Sequence, residues 1–291
     1  MILVTGVSGA LGGSIFDGLR AMEGLEVAGA SSSGDGTTLR RADFDRPQTL
    51  EGAFAGVDVL VFVSAGYAED DVVLARHGAV VRAAAAAGVK HVIYTSLAGS
   101  GERLTIALAH RWTEARLAEA PFDVTVLRNG LYAELAAGLA LAGAAGAAGG
   151  GVFAAPLGDG RVPVVARDDL AAVAVRVAAE AWHDLSAGGP RRHAGKTYEL
   201  EGVSAVGGHD LAGVLAEVLG RPVEYRTAPL GEVRPLLASM EPYQVGHTVS
   251  ILSNINAGLL EGRRGDLSAF VDPPRPARDV IVAEVKSGLQ G

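Results

Sequence analysis

Short, almost wholly apolar runs alternate with longer amphipathic stretches through the first half of the chain. Ile2 to Val4 is the first such run, and Val57 to Ser64 (Val-Asp-Val-Leu-Val-Phe-Val-Ser) is the most continuous. A run with so little polar relief predicts a strand covered on both faces, as in a parallel sheet. Leu25 to Ala30, Arg41 to Phe44, His91 to Leu97 and Asp123 to Leu127 predict further strands. Helices are expected from Ala10, over Val72 to Ala87 and over Leu104 to Glu119. Val73, Val80, Val81 and Ala84 share one helical face, Gly88 supplies a C-cap and Pro121 stops the following helix. Strict alternation of strand and helix predicts an α/β fold with a doubly wound parallel sheet.

Glycines sharpen that picture at the first turn. Gly6, Gly9 and Gly12 follow the first strand at three-residue spacing, and a helical pattern takes over from Ala10. Gly6 lets the chain turn sharply, Gly9 lets backbone approach a pyrophosphate, and Gly12 lets the new helix pack on the sheet. The helix N-terminus then offers free N–H groups to phosphate. The expected fold is therefore a Rossmann-type NAD(P)-binding domain. Beyond Gly151 the rhythm loosens. Helices are expected at Asp168–Glu180 (Asp168 as N-cap), His209–Leu219 and Asp279–Ser287, with short strands at Thr197–Leu200 and Val223–Arg226. The predicted division is residues 1–151 for the dinucleotide and 152–291 for a smaller substrate-binding α/β lobe, with segments of the latter returning to the main sheet.

The chain has 291 residues, a formal net charge of −8 and no cysteine. The acidic balance argues against nucleic-acid binding, and the missing thiols exclude disulfides and cysteine nucleophiles. Leu135 to Ala155 is charge-free and about as long as a membrane span. Its alanine and glycine content points instead to a helix packed inside the protein, then a flexible turn at Gly149 to Gly151. The expectation is a cytoplasmic monomer or homodimer acting on a small molecule, without membrane attachment.

In a doubly wound sheet, ligands sit beyond the carboxyl ends of the strands. The loop after strand two, Ser31 to Ser33, has neither the acidic residue that favours NAD nor the arginine that favours NADP. Asp35 comes late, and Arg40 and Arg41 are the cations able to fold back to a phosphate; a plain solvated loop is the alternative. Asp43 and Phe44 read either as adenine-side contacts or as a strand end with a helix cap. Ser64, Ala65 and Gly66 are small enough for a cofactor to cross the sheet edge, and Thr95 ends strand five below the expected nicotinamide. Asn129 and Gly130 form a turn after strand six, with Tyr132 beside it to bond or stack with a substrate ring.

Several catalytic schemes are absent. No Tyr-x-x-x-Lys pair or Gly-x-Ser-x-Gly elbow occurs, no His-x-x-x-His or Glu-x-x-His spacing suited to a metal is expected, and no metal site is expected. His110 falls in the helix after strand five, where a lysine would otherwise be sought.

These segments together resemble the NmrA-like, atypical short-chain dehydrogenase/reductases, and most of all the type 2 NAD(P)H:quinone oxidoreductases. The resemblance runs nearly end to end. It is carried by Thr5-Gly6-x-Ser8-Gly9-x-Leu11-Gly12, Ala87-Gly88-Val89-Lys90, Tyr94-Thr95-Ser96-Leu97 and His110-x-x-Thr113-Glu114-x-x-Leu117. It continues in Leu127-Arg128-Asn129-Gly130-x-Tyr132-x-Glu134, Gly158-Asp159-Gly160-Arg161 and Tyr198-Glu199-Leu200-x-Gly202. It implies cofactor contacts from Gly6, Val7, Ser8, Gly9, Ala10 and Leu11, from Ser64 to Gly66, and from Asn129, Gly130, Leu131, Tyr132 and Glu134. A basic residue at Arg161 belongs to the pattern. Ser31 and Ser32 depart from it, which leaves NADP against NAD open. The implied activity is hydride transfer from NAD(P)H to a quinone or polycyclic aromatic quinone; Tyr132 and His110 are the candidate catalytic residues, and Tyr132 and Phe153, with His110, the candidate substrate wall. Two alternatives stand beside it: an oxygen-activating tailoring reductase in aromatic polyketide biosynthesis, and a non-catalytic dinucleotide-binding redox sensor.

Overall fold

The computed structural model describes residues 1–65, 68–260, 262 and 265–290. They form two units, each built from several chain segments. The first comprises Met1–Leu97, Leu108–Asn129 and Asp168–Tyr198. The second comprises Ala98–Ala107, Gly130–Arg167 and Glu199–Gly291. The units are interleaved along the chain rather than divided at residue 151, because Asp168–Tyr198 groups with the first unit.

The first unit follows the alternation read from the sequence. Its elements are β1 (Ile2–Thr5), α1 (Ala10–Arg20), β2 (Val27–Ser31), β3 (Arg40–Arg41), α2 (Gln48–Phe54), β4 (Val59–Phe62), α3 (Asp70–Ala86), β5 (His91–Leu97), α4 (Ala107–Ala118) and β6 (Asp123–Asn129). The later elements are β7 (Leu131–Tyr132), α5 (Ala133–Gly150), β8 (Val152–Ala155), β9 (Arg161–Val165), α6 (Arg167–Ala187) and β10 (Lys196–Leu200). A sheet of seven strands runs β10-β6-β5-β4-β1-β2-β3, and every neighbouring pair from β6 to β3 is parallel. Ile2 lies across from Val27 on one side and Val59 on the other. The central strands are fully buried; β4 is wholly apolar, while β5 carries its polar residues His91, Tyr94, Thr95 and Ser96 buried.

The second unit is completed by β11 (Ala205–Gly207), α7 (Gly208–Leu219), β12 (Glu224–Thr227), α8 (Leu230–Val233), α9 (Pro242–Asn256), α10 (Leu267–Phe270) and α11 (Ala277–Gln290). It holds a three-stranded sheet, β11-β9-β7, and a two-stranded one, β12-β8.

Four local expectations are corrected. The third strand is only Arg40–Arg41, so Asp43 and Phe44 lie in the turn that follows it. Strand six runs on to Asn129. Helix α5 continues through Gly149 and Gly150, and the chain turns only at Gly151, whose φ of 68° makes it the left-handed cap. Asp168 is inside the first turn of α6 rather than before it.

Candidate functional site

Gly6 leaves β1 with a φ of 66°, a left-handed conformation that glycine adopts without strain. The Gly9 N–H closes the turn on the Gly6 carbonyl at 2.9 Å. A Cβ on Gly12 would stand 2.3 Å from the Gly6 oxygen and 3.0 Å from that of Thr5, so only glycine permits this approach. Helix α1 starts with no side-chain cap and no acidic residue in its first turn. Ser8, Gly9 and Ala10 are exposed above it. An uncapped N-terminus with its positive end bare is the arrangement that receives a diphosphate. The residues present fit a dinucleotide.

The loop after β4 is held from below. Thr5 Oγ1 accepts the Val63 N–H at 3.0 Å, Thr95 Oγ1 accepts that of Ser64 at 3.0 Å, and His77 Nε2 accepts that of Ala65 at 3.1 Å. Thr95 is buried and therefore positions this loop. His77 went unnoticed in the sequence because it lies in the middle of α3. Its Nδ1 meets Thr113 Oγ1 at 2.8 Å, and burial pushes its pKa down to about 3. The expected contact at Gly66 lies outside the described residues.

Beyond β2, Ser31 is buried, and its carbonyl accepts the Gly34 and Ala42 N–H groups. Asp35 Oδ1 accepts three N–H groups of its own loop, from Thr37, Thr38 and Leu39, and these bonds depress its pKa strongly. Arg40 does not fold back to this loop: its guanidinium donates to the Ala53 and Ala55 carbonyls at 2.7 and 2.8 Å. Arg41 is exposed and sits directly across from Ser31 in the β2–β3 register. The Asp43 carboxylate accepts the Asp45 N–H and the Arg46 side chain, and Phe44 meets Phe62 edge-on at 5.8 Å.

At the carboxyl ends of β5 and β6, Glu114 is clamped by Ser96 (2.5 Å), Arg111 (2.7 Å) and a two-pronged Arg128 (3.0 and 2.6 Å). Burial works to raise its pKa, but the hydrogen bonds from Arg128 and Ser96 overcome this and hold it below the usual carboxylate range. Asn129 follows, buried, with its side-chain oxygen lacking any partner. A buried carbonyl without a donor costs about 1–3 kcal/mol, and Asn129 Oδ1 keeps its capacity to accept a hydrogen bond. His110 shares a 2.9 Å hydrogen bond with Tyr94, and burial lowers its pKa to about 4. It is neutral at pH 7 and has no imidazolium proton to donate.

In the second unit, the Gly130 N–H donates to the Leu200 carbonyl at 2.9 Å. Leu131 and Tyr132 pair with Val164 and Val165 of β9. Glu134 accepts the Arg167 N–H at 3.1 Å. Arg161 is occupied by the Ala205 carbonyl (2.6 Å) and Asp210 (2.8 Å), joining β9 to β11 and α7. An apolar cleft of about 650 Å³ opens beside β7, walled by α5, the strands β8 and β9, and α9. Tyr132 lines it. Phe153 does not, contrary to expectation: it is fully buried beneath Gly143 and 6.0 Å from the Tyr225 ring. Among the described residues no cluster of three or more metal-ligating side chains occurs. Glu180 and His183 stand three apart on α6, but the Glu180 carboxylate is taken by Arg176 and His193.

Residues 25–181 match the model of a family described as NAD(P)H-binding. Quinone oxidoreductase 2 of Escherichia coli is 34% identical over 250 residues, covering 82% of each chain. The chain belongs to the NAD(P)H-binding family. Solved structures agree with that membership. The Escherichia coli quinone oxidoreductase 2 complexed with NADPH is 29% identical, with full coverage of both chains and a TM-score of 0.82. The triphenylmethane reductase of a Citrobacter species complexed with NADP(H) is 27% identical, covers 98% of this chain and 99% of its own, and has a TM-score of 0.84. This member of the NAD(P)H-binding family is an NAD(P)H-dependent oxidoreductase.

Proposed function

We propose that the protein reduces a quinone at the expense of NAD(P)H. The glycine turn of the first unit binds the cofactor diphosphate, and Asn129 accepts a hydrogen bond from its donor groups. When bound, the cofactor supplies a hydride. The cleft of the second unit takes the quinone, which gains that hydride and one proton to leave as hydroquinone. Water supplies the proton, so no strong acid is required. The Tyr132 hydroxyl donates a hydrogen bond to a quinone oxygen and orients it. Binding and orientation carry most of the rate.

The observation that carries this reading is the cleft itself. It is apolar and lacks any ionised side chain, as an aromatic acceptor requires and as hydrolytic or metal chemistry does not. The quinone oxidoreductase 2 relative supports it. The test is anaerobic oxidation of NADH and NADPH with a panel of quinones. One hydroquinone per cofactor oxidised is the expected result. Tight cofactor binding with no turnover on any quinone overturns the proposal.

A further inference from the structure

We propose that the cleft selects a bulky, uncharged and mainly apolar quinone, with several fused rings or an alkyl tail, and that Gly138 is kept bare to admit it. The inference rests on the quinone reading and narrows it.

Size comes first. About 650 Å³ lies in the middle of the range, roughly 300–1,000 Å³, that encloses drug-sized ligands. A single-ring quinone leaves most of that wall uncovered. Charge comes second. Tyr132 and Thr248 are the polar side chains in the lining, and no ionised group is among the lining residues. A charged ligand would lose its water there and gain no partner. The rim comes third. Leu135, Leu236 and Met240 line the cleft yet are 55%, 78% and 38% exposed, so the apolar wall extends to the mouth. An extended apolar ligand covers that surface; a small one does not.

Gly138 supplies the independent observation. Glycine inside a helix is less stable than alanine, so each one needs a reason. In α5, Gly143 has one: a Cβ there would stand 2.5 Å from the Phe153 ring. Gly146 would meet the Val152 carbonyl at 3.2 Å. A Cβ on Gly138, Gly149 or Gly150 meets nothing within 4 Å, and of these three Gly138 lines the cleft while the other two sit in the last turn of the helix. The space Gly138 leaves is not used by the chain.

The test compares benzoquinone, phenanthrenequinone and anthraquinone sulfonate as acceptors for the parent, Gly138→Ala and Gly138→Phe. Calorimetric binding of phenanthrenequinone is measured alongside. The parent is expected to favour phenanthrenequinone over benzoquinone about tenfold or more in kcat/KM, the gain from covering additional apolar surface. The sulfonate is expected to lose that gain. Gly138→Phe is expected to cut the phenanthrenequinone preference and affinity about tenfold, while Gly138→Ala retains them. A melting temperature for Gly138→Phe no lower than the parent's shows that the fold is intact. An unchanged preference in Gly138→Phe, or equal use of the sulfonate, overturns the proposal. So does binding to phosphatidylcholine vesicles that Gly138→Phe abolishes while the preference stays, since a lipid surface then covers the rim. If no quinone turns over but Gly138→Phe still weakens phenanthrenequinone binding, the cleft's selectivity stands and the reductase reading fails.

Discussion

At Gly12 the backbone leaves no room for a methyl group, and that contact decides how closely α1 can sit on β1. Gly12→Ala is expected to weaken NADH and NADPH binding at least about tenfold and to destabilise the fold by about 1–3 kcal/mol, as overpacking does. Fluorescence titration and chemical denaturation measure the two effects. Tyr132 makes a different kind of contribution. Tyr132→Phe is expected to raise the quinone KM about fivefold, the worth of one hydrogen bond of about 1 kcal/mol, with cofactor affinity unchanged. The buried histidines set the acid limit. Burial lowers the pKa of His77 to about 3 and those of His91 and His110 to about 4. Each is neutral when folded but binds a proton when unfolded below about pH 6.5. Stability is therefore fully present above pH 6.5 and declines as pH falls toward 4, by up to about 1.4 kcal/mol per pH unit for each histidine. Urea unfolding from pH 7.5 to 4.5 should show that slope, and His77→Gln should reduce it.

Helix α5 shows how an element can serve two surfaces. Ala133, Ala137, Ala140, Ala144 and Ala147 are buried on one face, and the helix packs on α7 and α11. Leu135, Gly138, Leu139 and Ala142 line the cleft on another. Its length and hydropathy match those of a membrane span, but its apolar residues have these two uses within the unit. Paired substitutions separate them. Gly143→Ala is expected to destabilise the protein by about 1–3 kcal/mol, because the new methyl meets the Phe153 ring. Gly138→Ala is expected to stabilise it by about 0.5–1 kcal/mol, because it relieves helix entropy in open space. The elements of the first unit were legible because fully buried parallel strands leave continuous apolar runs, as in Val59–Phe62. The short strands β8, β9 and β11 were not, since each is only three to five residues long, β8 and β11 are rich in alanine or glycine, and β9 carries an arginine and a proline. The two-residue β3 misled for the same reason: Ala42, Asp43 and Phe44 look strand-like, but the Asp43 N–H is accepted by the Thr49 hydroxyl at 2.9 Å, which folds them into a turn.

Across the whole molecule, the glycine turn was readable because its chemistry is local in sequence. The substrate side was not. Its cleft draws on β7, α5, β8, β9, β11, α7, α8 and α9, and no periodicity in one segment announces a cavity built by so many. Tyr132 lines the cleft and Phe153 does not; an aromatic residue in a sequence does not by itself show which way it faces. Asp168–Tyr198 groups with the first unit, where Val175 of α6 packs against Gly18 of α1. The central claim is that one unit cradles NAD(P)H and the other accepts a quinone. Its most direct test is anaerobic, single-turnover mixing of cofactor-loaded protein with phenanthrenequinone, following nicotinamide absorbance. Stoichiometric loss of the reduced cofactor, abolished by Gly12→Val, is the predicted result; a signal that persists unchanged while the cofactor stays bound contradicts the account.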